Sequence, residues 1–168
     1  VATSNDSRND IVIRGNSPAG LLWQLEGIPI PSPNHFSTLG TTGGPVSALN
    51  PNMLANSDFA TSAFAAEYGN ALSGVFDLSL RKGNRDRYEF MGQLGTFSGL
   101  EAMAEGPLNN KKGSFVVSFR NSFVGFADAL GIPLGTNATP DYRDLTFNID
   151  FGNGKAGKFS VFGIGGTS

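Results

Sequence analysis

Leu145-Thr146-Phe147-Asn148-Ile149-Asp150-Phe151 is the stretch on which the fold turns. Leu145, Phe147, Ile149 and Phe151 alternate with Thr146, Asn148 and Asp150. Successive side chains of a strand point to opposite faces, so this run is a strand with one apolar and one polar face. Working outward, the pattern recurs. Residues 114–123 set Phe115, Val117 and Phe119 against Ser114, Ser118 and Arg120. Residues 88–97 and 100–108 read as two more strands, joined by Ser98-Gly99, and residues 158–165 as a fifth. Asn109-Asn110-Lys111-Lys112-Gly113 is a polar turn and residues 152–157 a short one. Residues 124–143, with Pro133 and Pro140, form a long connection. The second half is therefore expected to be a run of antiparallel hairpins.

Strands of about 8–11 residues are long enough to cross a bilayer at a tilt. Connections running short, short, long, short suit a membrane barrel with tight turns on one side and longer loops on the other. Ser98-Gly99 is short for such an outer loop. Phe115, Phe119, Phe147, Phe151 and Phe159 then form a lipid-facing band. In a soluble β-sandwich the same stripe is core, and alternation alone supports both readings equally.

Composition narrows the class. Of 168 residues, 23 are Gly and 14 are Phe, while 15% are charged, well under the roughly 25% of ordinary soluble domains. Disordered chains lack such aromatics, and helical bundles do not tolerate such Gly content. A net charge of -2 gives no reason to expect nucleic acid or anionic lipid as a partner. With no Cys, thiolate metal sites, disulfides and Cys nucleophiles are excluded. No apolar run approaches the roughly 18 residues of a transmembrane helix, which leaves membrane strands open. The opening VATSNDSRND lacks the basic start and apolar core of a signal peptide, so an export signal is expected outside this chain.

The first half carries short strands among loops. Residues 10–14 (DIVIR) and 21–25 (LLWQL) are strands, and Pro29, Pro31 and Pro33 exclude a central strand beyond. Residues 47–54 suit a helical turn, 57–64 a strand and turn, and 65–69 a helical turn closed by Gly69. In residues 75–80, Val75, Asp77 and Ser79 alternate with Phe76, Leu78 and Leu80, giving a half-buried strand. Gly15, Gly27, Gly69 and Gly74 suit positive φ or close backbone approach. The overall class is mostly β with short helices, α+β in the first half.

Two segments of this half carry a resemblance. One is Asp10-Ile11-Val12-Ile13-Arg14-Gly15 followed by Leu22-Trp23-Gln24-Leu25-Glu26-Gly27-Ile28-Pro29-Ile30. The other is Ala66-Glu67-Tyr68-Gly69-Asn70-Ala71-Leu72-Ser73-Gly74-Val75-Phe76-Asp77-Leu78. In this order they resemble the plug motifs of TonB-dependent outer-membrane receptors. Arg81-Lys82-Gly83-Asn84 is similar to that family's exit from plug to barrel. Residues 31–36 and Gly43-Gly44-Pro45 are similar to a branch with a carboxypeptidase-regulatory-like domain upstream. The resemblance implies that residues 1–84 are the later part of the plug and 85–168 about the first five strands of a truncated transmembrane barrel. It implies nutrient import across the outer membrane of a Gram-negative bacterium, with the plug gating the lumen. TonB, engaging a segment outside this chain, outer-membrane lipid, a small nutrient and a surface lipoprotein are the implied partners. The alternative is a soluble β-rich binding or interaction domain with no transport role.

Candidate site residues follow. Asn34, His35 and Phe36, in the loop 32–45, are the candidate substrate-facing plug segment. Arg14, Glu26 and Glu67 are candidates for an ion-pair network, since a guanidinium pairs bidentately with a carboxylate. No second His or Cys accompanies His35, so no metal site and no cofactor is expected. Ser17, Ser57 and Ser73 lack a neighbouring His and a nucleophile elbow, and Gly40-Thr41-Thr42-Gly43-Gly44 lacks the Gly-Lys of a P-loop, so an enzyme is not expected. Arg81, Lys82, Arg85 and Arg87 form a basic cluster that meets either anionic head groups or acidic side chains.

Overall fold

The computed structural model describes residues 2–3, 11–13, 15–17, 20–37, 44, 46–61, 68–69, 71–95, 99–108, 110–122, 141–154 and 157–168. Two units emerge, Val1–Leu80 and Arg81–Ser168. The division falls four residues earlier than the expected end of the first segment at 84. Among the described residues, helix is limited to 3-10 turns such as Pro51–Met53. The helical turn expected at 65–69 lies largely outside the described residues, and the chain is mostly β with chiefly antiparallel pairing.

In the first unit β1 (Ala2–Thr3) pairs with β2 (Ile11–Val12). A four-stranded sheet joins β3 (Leu21–Leu25), β4 (Ile28–Ile30), β7 (Asp58–Ala60) and β8 (Gly74–Leu78) in the order β4-β3-β8-β7. Between them in sequence, β5 (Asn34–His35) pairs with β6 (Val46–Ser47). The central pair, β3 with β8, is parallel. Pro29 sits opposite Gln24 on edge strand β4, where a missing N–H leaves no ladder bond broken. Glu26 and Gly27 link β3 to β4 with φ of 53° and 76°, the left-handed pair of a tight hairpin turn.

The core of this unit is Leu21, Leu25, Val75, Leu78 and Leu80 with Leu49 and Met53. Val75 is only 2% exposed. Leu78 and Leu80 are buried while Asp77 and Ser79 stay partly exposed, as a half-buried strand at 75–80 requires, and Val75 at its start is covered as well. Trp23, Phe76 and Phe59 lie in register and stack, with centroids 4.0 and 4.2 Å apart. The turn expected at 47–54 contracts to Pro51–Met53, capped by the Asn50 side chain, which accepts from Asn52 N at 2.9 Å. A Cβ on Gly74 would approach Ile13 Cδ1 to 2.7 Å, so this position needs close approach rather than positive φ.

The second unit is an antiparallel meander: β9 (Glu89–Gly95), β10 (Gly99–Leu108), β11 (Gly113–Asn121), β12 (Arg143–Gly154) and β13 (Gly157–Thr167). Sheet order is β13-β12-β11-β10-β9, leaving β9 and β13 as edges. The short turn expected at 152–157 is corrected. β12 runs on to Gly154 through a bulge between Asp150 and Asn153, and Gly154 pairs with Gly157. Gly152 supplies a φ of 78° at the bulge, and its N–H donates to Asp150 Oδ1 at 2.8 Å in place of a ladder bond.

Candidate functional site

Across β10, β11 and β12 the meander gathers most of its polar side chains on one face, with Met103 and Val116 among them, while β13 adds Phe162 and Ile164 to that face. Glu101, Arg120 and Asp144 share a row on one face; Met103, Ser118 and Thr146 form the next, and Glu105, Val116 and Asn148 the third. These side chains are buried apart from the half-exposed Met103, and Glu101 and Asp150 are only 4% and 3% exposed. The other face carries Phe90, Leu94, Phe119, Leu145, Phe151 and Phe159, and it is the exposed one: Phe90 is 81% and Phe159 64% exposed. Phe115 and Phe147 are half-buried on this same face. Polar inward and apolar outward is the reverse of a water-soluble sheet.

The buried polar face is organised by ion pairs. Arg81 binds Glu105 bidentately, Nη1 to Oε2 at 2.9 Å and Nη2 to Oε1 at 2.8 Å. The hydrogen bond to Glu105 pushes the Arg81 guanidinium above its ordinary value, against the opposing effect of burial. Asn84 N also donates to Glu105 Oε2, at 2.8 Å. Lys82 and Arg85 converge on Asp150 Oδ2 at 2.6 and 2.9 Å. Asn148 Nδ2 donates to the Arg81 carbonyl at 3.1 Å. Residues 81–85 are thus held on the sheet by side chains from β10 and β12. Gly83 makes the crossing possible, because a Cβ there would lie 1.9 Å from Phe115 O. At the far end of the face Arg120 Nη2 meets Asp144 Oδ2 at 2.6 Å and stands 5.8 Å over the Tyr142 ring, whose phenol burial pushes up.

The basic cluster at 81–87 therefore meets acidic side chains, with Arg87 paired to Glu89. Its partners Glu105 and Asp150 were missed by the sequence reading. Their signal was available: Asp150 follows Thr146 and Asn148 on the polar side of β12, and Glu105 repeats Glu101 at strand spacing on β10.

In the first unit, Asn34 pairs with Ser47 and His35 with Val46, so two of the three candidate loop residues are strand residues, both half-buried. Ser32 Oγ accepts from Asn34 N at 3.1 Å and donates to its carbonyl at 3.3 Å. Phe36 follows with φ 56°, exposed and tilted against the His35 ring at 6.1 Å. Beside them a cleft of about 280 Å³ is lined by Trp23, Asn34, Ser47, Leu49 and Phe76 among others. Its walls are chiefly apolar, with Asn34 and Ser47 as the polar points, which suits a small, mostly apolar group.

Glu26 accepts from Leu80 N at 2.6 Å through Oε1, and its own N–H donates to Leu78 O at 2.8 Å. It fastens the end of β8. Arg14 and Glu67, its candidate partners, lie outside the described residues. Among the described residues no three His, Asp or Glu side chains converge as metal ligands. No family model, curated protein or solved structure matches the chain.

Proposed function

We propose that the chain is part of a TonB-dependent outer-membrane receptor for nutrient import, with residues 1–84 in the plug and 85–168 in the first strands of the barrel wall. The observation that carries this reading is the inverted polarity of the five-stranded sheet: carboxylates, guanidinium and hydroxyls buried, Phe and Leu exposed. In water the apolar face costs about 25 cal/mol for each Å² left wet. Against acyl chains that cost vanishes, and the polar face suits a lumen. Free edges at β9 and β13 fit a wall continued by further strands. The two plug-like motifs supply the identity of the importer, which polarity alone does not. In this reading Asn34, His35 and Phe36 face a small nutrient. Arg14, Glu26 and Glu67 stiffen the plug, TonB supplies the pull, and a surface lipoprotein delivers substrate from outside.

Residues 1–168 contain no Cys to compete for a label, and any Cys elsewhere in the protein is first replaced by Ser. Phe90→Cys, labelled with an environment-sensitive fluorophore in the natural full-length protein, is expected to be quenched by phospholipids brominated on the acyl chain. A label quenched only by aqueous iodide would return the chain to the soluble β-rich binding domain.

A further inference from the structure

The exposed face of the meander is not uniform along its height. At the end bearing the Asn110–Lys112 turn, an aromatic band crosses the sheet on two successive levels, Tyr88 and Phe115 on one and Phe151 and Phe159 on the next outward. Tyr88 precedes β9, Phe115 lies on β11, Phe151 on β12 and Phe159 on β13. Tyr88 and Phe115 are 6.3 Å apart, Phe151 and Phe159 5.5 Å. β10 has Gly106 level with Phe115, and the Tyr88 ring fills the gap: a Cβ on Gly106 would stand 2.3 Å from Tyr88 Cδ1. An apolar groove of about 440 Å³ opens beside the band, between Leu108, Phe115, Phe147 and Ile149. Among the described residues of this face, the opposite end carries Phe119 with Leu94, Leu100 and Leu145.

Beyond the band stand Lys111 and Lys112, both exposed. Asn110 and Lys111 hold φ of 52° and 68°, which folds the tip tightly between β10 and β11. Among the described residues Lys111 pairs with the exposed Asp86, at 3.6 Å, and Lys112 makes no ion pair. Arg81, Lys82 and Arg85 are already committed to Glu105 and Asp150. Lys158 on β13 is also exposed at this end, but it alternates with Phe159 and so shares the polar face with Ser160. Among the described residues, the cations left for a partner on the aromatic side are therefore those of the turn.

We infer that this end of the sheet binds anionic glycerophospholipids. The acyl chain lies in the groove beside Phe115, the aromatic band sits at the acyl–head-group boundary, and Lys111 and Lys112 meet the phosphates. The inference rests on the membrane reading above and adds both a lipid class and a direction, with the turn end in the phospholipid leaflet. A cation near an anionic membrane surface is worth roughly five-fold in binding (about 1 kcal/mol). Two lysines thus predict a clear preference for anionic over zwitterionic lipid, weakened by salt.

The test uses the natural full-length chain, refolded into vesicles and carrying a fluorophore at Val161→Cys, level with Ile149 and Phe115. Quenching by acyl-brominated phosphatidylglycerol is expected to exceed that by brominated phosphatidylcholine several-fold. Lys111→Gln with Lys112→Gln should bring the two lipids to parity, and Lys112→Arg should keep the preference. Equal quenching in the parent, a preference indifferent to both lysines, or preferential contact with lipopolysaccharide overturns the inference. The labelled Phe90→Cys protein separates the two failures. Quenching there without lipid selectivity at position 161 removes this inference alone, whereas no lipid quenching at either position removes the membrane reading with it.

Discussion

Two carboxylates do most of the organising in the second unit. Glu105 accepts from both Arg81 nitrogens and from Asn84 N, and Asp150 accepts from Lys82, Arg85 and Gly152 N. Each is nearly buried and each is satisfied several times over, so desolvation of the charge is offset by donors on separate chain segments. Glu105→Gln keeps the shape but removes the charge and one acceptor. Arg81 retains 28% of its side-chain exposure, so water can partly replace the lost partner. The cost is expected at about 2 kcal/mol, between a charged hydrogen bond and a fully buried pair. Urea unfolding of the full-length protein in bilayers reads it as a lowered midpoint at unchanged slope. An unshifted midpoint would mean that the Arg81 contact contributes nothing net. The sequence offered half of this arrangement. The basic run at 81–87 was visible, and alternation placed Asp150 on a polar face. What alternation cannot supply is the partner, because Arg85 and Asp150 lie 65 positions apart.

At the level of elements, legibility followed periodicity. Residues 21–25 and 145–151 were readable because each has one unambiguous pattern over at least five positions, and β3 and β12 cover them. Two-residue strands such as β5 have no period to detect, and Asn34 and His35 read as loop. The bulge at Gly152 was taken for a turn because Gly-Asn-Gly is the composition of both. Periodicity also left open which face of the meander is inside. The choice rests on exposure, and it can be tested on a single strand. Phe90 lies on the middle row, level with Ala104, Val117 and Phe147. If that row faces acyl chains, Phe90→Arg costs roughly 2–4 kcal/mol, the range for a cation on the lipid face of a barrel. If it faces water, an 81% exposed position should tolerate Arg within about 0.5 kcal/mol. Ser118→Ala, on the buried polar face, is the matched control for mutating this sheet at all.

The molecule as a whole joins two units of different character. Val1–Leu80 buries an apolar core between short strands, as a water-soluble domain does. Arg81–Ser168 buries its polar face and bares its Phe face. The sequence hinted at this asymmetry through composition, low in charge and rich in Phe, but composition averages over both units and so could not assign the inversion to one of them. The consequence concerns behaviour in solution. Among the described residues β13, over 11 residues, and β9 are the two edges of the sheet. Unprotected edges and a broad apolar patch are each routes to self-association. Residues 1–168 on their own are therefore expected to elute as large assemblies in detergent-free buffer and to resolve into small particles above a detergent's critical micelle concentration. Chaotropic salt should not substitute for detergent, because the driving surface is apolar and the charged groups of the sheet are paired on its other face. A monodisperse 17.6 kDa monomer in plain buffer contradicts this. It would require the Phe face to find cover within one chain, and it would favour the soluble binding domain over the barrel wall.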